Sequence, residues 1–282
     1  MRYSISLSYD GSAFCGWQLQ DNAPSVQGAL EDALGRLLRE PVRVTGTGRT
    51  DTMVNAVGYV AHFDSEKSFD AADLCYKLNA ILPRGIAVHS VAPADASFHA
   101  RFAASQRKYT YFLHRLKDPF SERYSLRYPY PLDVDAMNRA AALLVGCHDF
   151  SCFQKVGSDV KSPVCTVREA FWASYQPSHV ALMGFGEVPG QARDEGCGEG
   201  WTYLYFRISA DRFLRNMVRA IVGTLLDVGR GRRSVEDFAS LVLPVSDQVR
   251  HEVRGADGAG SMRSLAGESV PGHALFFSGV EY

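Results

Sequence analysis

The order in which strand-like and helix-like stretches follow one another constrains this chain most. Residues 3–9 alternate polar and apolar side chains, as a half-buried strand does. Ser25 then precedes Val26, Leu30, Ala33, Leu34, Leu37 and Leu38, which recur at helical spacing until Pro41. Strands are predicted at 42–45 and 56–63, with a glycine-rich loop between them. A second helix is predicted over 70–82, stopped by Pro83, and a strand over 86–91. This order is β-α-β-β-α-β. The second half repeats it: a strand at 108–113, a helix at 134–144, strands at 166–175 and 201–208, a helix at 213–228, and a strand at 274–280. Gly229 takes the C-cap position of that last helix, and Ser234-Val-Glu-Asp237 reads as the capped start of an extra one. Two such units predict an α+β fold of two tandem ferredoxin-like halves. The halves share element order and no sequence identity. Their boundary falls near 103–106, giving domains 1–104 and 105–282. Stretches 184–200 and 245–272 read as long loops rich in Gly and polar residues.

Composition excludes several classes. The chain is 46% hydrophobic and 22% charged, which is globular, and no run approaches the ~20 apolar residues of a membrane span. The N-terminus lacks a signal-peptide core, so a cytoplasmic location is expected. The net charge of -1 rules out a chain that is basic throughout. Basic residues are nevertheless clustered. Arg101, Arg107, Lys108, Arg115, Lys117, Arg123 and Arg127 face only Asp118 and Glu122 in 101–127. Seven arginines in 207–233, Arg215 and Arg219 among them, face only Asp211 and Asp227. Such clusters suit phosphate contact, or are solvated faces. The six cysteines form no Cys-x-x-Cys pair. Cys147, His148, Cys152 and Cys165 fit no common zinc spacing, so reduced thiols and no metal are expected.

The candidate site is the loop Gly46-Thr-Gly-Arg-Thr-Asp51. Glycines allow a sharp turn, and an Asp on such a turn is held by flanking strands while facing outward. Arg49 can keep that carboxylate ionised. The third glycine and helix of a dinucleotide site are missing, as is the Gly-Lys-Ser/Thr of a phosphate loop. By its residues alone the stretch is also an ordinary polar hairpin.

The chain resembles the TruA-type tRNA pseudouridine synthases. Gly-x-Gly-Arg-Thr-Asp51 matches their catalytic loop. The likeness continues through Tyr9-Asp-Gly-Ser-x-Phe-x-Gly-Trp-Gln18, Ser25-Val-Gln-Gly-Ala-Leu30, Phe98-His-Ala-Arg101 with Arg107-Lys-Tyr-Thr-Tyr111, Gly146-Cys-His-Asp-Phe150, the 213–223 helix and the terminal residues. It departs at Asn55 and Tyr59, where the family usually carries His and Gln. The resemblance implies isomerisation of uridine to pseudouridine at positions 38, 39 and 40 of the tRNA anticodon stem-loop, by a homodimer, with no cofactor. It implies halves whose sheets flank a central RNA-binding cleft. The uridine leaves its stack, and Asp51 acts on the ribose as nucleophile or base.

Tyr109 matches the family's active-site tyrosine. Strand alternation makes core packing a real alternative for one of Tyr109 and Tyr111, and the resemblance favours Tyr109 as the exposed one. Arg49 or Arg219 can pair with Asp51. Arg107, Lys108 and Arg215 are candidate RNA contacts. His99 and His148 suit structural or RNA-contacting roles. Two competing readings are a non-catalytic RNA binder, which has no need of Asp51, and a metal-dependent phosphoesterase using Asp10, Asp51 and Asp149.

Overall fold

A computed structural model describes residues 1–157, 162–179, 201–244 and 260–282. The expected loop at 184–200, and the part of the other at 245–259, lie outside the described residues. The chain is α+β and divides into two compact units, Met1–Tyr109 with Phe276–Tyr282, and Thr110–Leu275.

In the first unit, β1 (Arg2–Tyr9) buries every second residue, Tyr3, Ile5, Leu7 and Tyr9. The helix α1 (Val26–Leu38) begins where the Ser25 side chain accepts from Gly28 N. It ends at Leu38, because Arg39 turns left-handed at φ 54° before Pro41 is reached. Asp70 caps α2 (Ala71–Ile81) in the same way. Strand β3 (Asn55–Asp64) is the centre. It pairs antiparallel with β1, β1 pairs antiparallel with β4 (Ile86–Ala94), and β2 (Val44–Gly46) pairs antiparallel with the far end of β3. The near end of β3 takes β11 (Leu275–Glu281) in parallel, Phe276 opposite Asn55 and Phe277 opposite Ala56. So β2 and β11 share β3, and the 47–54 loop springs from where β2 lets go.

Strand β5 (Gln106–His114) carries the chain from the first unit into the second. There the order is β10 (Leu243–Pro244), β7 (Gly146–Asp149), β8 (Val164–Ser174), β9 (Tyr203–Ala210), β5, with β6 (Leu126–Arg127) also on β5. The short strands β6, β7 and β10 are additions to the expected order. Helix α3 (Val134–Ala142) packs on β8, where Asn138 exchanges two hydrogen bonds with the Trp172 backbone. Helix α4 (Met217–Gly229) is buried on most sides. It starts four residues later than predicted, because Asn216 is left-handed at φ 64°. Gly229 is not a left-handed cap. It is the last helical residue, and a Cβ there would lie 2.4 Å from Met137 Sδ on α3. The positive φ falls at Gly231. Ser234 caps α5 (Val235–Ala239) as predicted. The described part of the 245–272 stretch is ordered by Arg263, which donates to Gly267 O at 2.9 Å and Ser269 Oγ at 2.8 Å. No helix among the described residues is long and apolar enough to cross a membrane.

Candidate active site

The 47–54 loop rests on an aromatic floor. Tyr9, Trp17, Tyr59, Phe277 and Tyr109 are all buried, with Trp17 and Tyr59 ring centroids 4.3 Å apart. Tyr59 and Tyr109 each meet Phe277 edge-on, at 5.2 and 5.3 Å. Strand alternation supplies this floor, because β1 and β3 point their large rings the same way.

The floor also pins the loop. Tyr59 Oη donates to Gly48 O in a short hydrogen bond and accepts from Gly48 N at 3.3 Å. Tyr9 Oη lies 2.9 Å from Thr50 Oγ1 in a buried pair. Thr47 N and Oγ1 both donate to Val60 O, and Trp17 N donates to Thr50 O. Asn55 Oδ1 accepts from Gly11 N at 2.8 Å. Asn55 thus holds Gly11, and Tyr59 holds Gly48 on the N-terminal side of Asp51. Tyr59→Phe would keep the ring and strip both hydrogen bonds from Gly48. We expect a stability loss of about 1–2 kcal/mol and a larger fractional loss in kcat than in substrate affinity. Thermal melts and single-turnover assays measure the two. An unchanged kcat would leave Tyr59 a packing residue only.

Asp51 is half-buried at the loop's turn, and Met53 behind it is left-handed at φ 66°. Tyr109 stands close enough for charge to matter. Burial raises the Tyr109 hydroxyl well above the usual phenol range, the Asp51 charge raises it further, and Arg107 lowers it. The phenol is therefore neutral and can donate. The expectation that Tyr109 is exposed is corrected: it is 9% exposed and Tyr111 is 0% exposed. Residues two apart share a strand face, so alternation could not separate them.

Arg49 is exposed, and its Nε donates to Gln18 Oε1 at 3.1 Å. Arg107 is a tie between backbones, donating to Ala104 O at 3.2 Å, to Thr47 O at 3.4 Å and to Arg101 O at short range. Lys108 pairs with Glu281 at 2.5 Å. The first unit therefore places Tyr109 within electrostatic reach of Asp51 and Arg107, while Arg49 is engaged with Gln18 and Lys108 with Glu281.

Arg215 and Arg219 belong to the second unit. Arg215 is exposed. Arg219 Nε donates to Val270 O at 2.6 Å, and Tyr111 Oη donates to Pro271 O at 3.1 Å. Burial raises the Tyr111 hydroxyl and the Arg219 charge lowers it.

Asp10 accepts from Ser12 N, and Asp149 accepts from Ser151 N and Oγ, as local turn caps. His148 Nε2 lies 3.0 Å from Val145 O. Sequence reasoning missed the floor as a device. Its signal was dispersed, since Tyr9 and Trp17 bound one motif block and Tyr59 follows the Gly loop, and their convergence depends on the fold.

A sequence model of a family described as tRNA pseudouridine synthase matches residues 5–103 and 140–282. Asp51, Arg49, Arg215 and Arg219 lie within it, while Arg107, Lys108 and Tyr109 lie between the two matched stretches. A protein of Parabacteroides distasonis called tRNA pseudouridine synthase A is 41% identical across 100% of this chain and 96% of its own length. Its namesake in Porphyromonas gingivalis is 41% identical across 100% of this chain and 97% of its own. That of Halalkalibacterium halodurans is 38% identical across 97% of this chain and 90% of its own. Near-complete coverage in both directions places this chain in the tRNA pseudouridine synthase family.

Proposed function

We propose that this enzyme isomerises uridine to pseudouridine in the tRNA anticodon stem-loop, at positions 38, 39 and 40, with Asp51 as the catalytic carboxylate. The observation that carries this is a half-buried aspartate on a loop pinned by buried hydroxyls, beside a neutral buried tyrosine. The reaction breaks the bond between ribose C1′ and uracil N1 and forms one between C1′ and C5. C5 gives up a proton and N1 gains one, so atoms and electrons balance without a redox partner. The Asp51 carboxylate either attacks C1′ or takes a ribose proton. Tyr109 presents a ring edge and a donor hydroxyl to the displaced uracil.

Each half reads as ferredoxin-like. In the first, the all-antiparallel order β4-β1-β3-β2 supports this. We assign the Asp51 loop to residues 1–104, and the Tyr109 strand and Arg219 helix to 105–282, with Arg215 and Lys108 as phosphate contacts. The protein works as a cytoplasmic homodimer, which sedimentation of the free enzyme tests. Incubation with unmodified tRNA transcripts, followed by chemical labelling of pseudouridine, tests the activity. Label at 38–40 is expected, and its absence there would overturn the reading.

A further inference from the structure

The segment after β4 in the first unit is held with more bonds than a connecting loop needs. Ala100 N donates to His62 Nδ1 at 3.1 Å, and burial, the largest influence on that ring, lowers its pKa. Tyr282 Oη lies 3.1 Å from Ala100 O and 2.8 Å from Thr47 Oγ1. Arg107 joins Arg101 O to Thr47 O. Arg101 N and Phe102 N both donate to His99 Nδ1, at 3.2 and 3.3 Å. Through Tyr282 and Arg107, this segment is tied to the same backbone residue, Thr47, that begins the Asp51 loop.

What this rigid segment presents is unusual for a tied backbone. Phe102 is 76% exposed. Its ring is backed by His99, centroids 4.3 Å apart and planes tilted 32°, and the Arg101 guanidinium lies 5.7 Å from its centroid. Arg101 also lines a groove of about 140 Å³ with Arg49, Gln18, Gln27, Trp17 and the backbone of β2. The lining holds two arginines, two amides and no acid. A single exposed Phe is ordinary on a mobile surface. A Phe fixed by its backbone, flanked by an arginine and opening on a cationic groove, has the features of a base-stacking platform beside a phosphate track.

We propose that Phe102 and Arg101 form a shelf for the RNA strand next to the nucleotide that enters the Asp51 loop. A displaced neighbouring base stacks on Phe102. Its phosphate lies in the groove, between Arg101 and Arg49. Because the segment is already ordered, little conformational entropy is lost when the strand binds. The shelf rests on the tRNA reading above, and its test is separable from it.

Wild type, Phe102→Ala, Phe102→Trp and Arg101→Gln are titrated with one unmodified tRNA transcript at several salt concentrations, and pseudouridine formation is followed with the same RNA. Phe102→Ala should weaken binding about 5- to 100-fold, with the loss appearing in KM and not in kcat. Phe102→Trp should restore it. Arg101→Gln should lower the salt slope by about one. Phe102→Ala binding as wild type does would overturn the shelf while leaving the isomerase reading intact. A wild type that makes no pseudouridine would sink the isomerase reading. In that case the binding titrations still decide the shelf, for it or against it.

Discussion

Asp51→Asn should bring pseudouridine formation down by about 10²–10⁴-fold or to the detection limit, the scale of losing a positioned acid–base or nucleophilic group. The amide is nearly isosteric, and the loop ties described above run through Tyr59, Thr50, Thr47 and the Asp51 carbonyl, which accepts from Val54 N at 3.1 Å. Binding of tRNA should therefore stay near wild type, and single-turnover assays should place the loss in the chemical step. Asparagine can neither attack C1′ as a carboxylate nor take a ribose proton. Near-normal turnover by the variant would remove Asp51 from the mechanism.

Gly46→Ala and Gly48→Ala should differ sharply, although the two glycines are one residue apart in one motif. A Cβ on Gly46 would lie 2.2 Å from Tyr59 Oη and 2.6 Å from the Trp17 ring. Neither neighbour can retreat easily. Tyr59 is fully buried, and its hydroxyl is committed to Gly48. Overpacking of this kind costs about 1–3 kcal/mol. It also pushes the clamp that holds the Asp51 loop, and an ångström of misplacement can cost about 10² in rate. Gly48 has no atom within 4 Å of its would-be Cβ and no positive φ, so its alanine variant should melt with wild type. Equal melting points and rates for the two variants would show that the floor does not position the loop.

Much of this was legible before any coordinates. Alternation in 3–9 and 56–63, helical spacing after Ser25, and the caps at Ser25 and Ser234 are local signals, and local backbone preferences fix them. The motif blocks around Asp51 located the candidate site. The exposure of Tyr109 was not legible, because period-two alternation places Tyr109 and Tyr111 on one face and only packing decides whether that face is covered. The role of Gly229 was not legible for a similar reason: a glycine at a helix end serves equally as a left-handed cap or as clearance for a neighbour, and here Met137 of α3 decides. Arg107 reads as one more basic residue, yet it ties the nearby Arg101 and Ala104 carbonyls to that of Thr47, which is distant in sequence.

The sequence by itself determined the main helices and strands, the family and the aspartate loop, since each is written in adjacent residues, but not the short strands β6, β7 and β10. Only the tertiary structure decided what holds that loop. Tyr9, Trp17, Tyr59, Phe277 and Tyr109 come from five separate segments, and strand register brings them beneath Asp51. The same holds for Asn55 and Tyr59. As letters they say nothing of this. In the fold they are the hydrogen-bonding groups that fasten Gly11 and Gly48, because buried backbone amides and carbonyls must find partners and these side chains are the ones within reach.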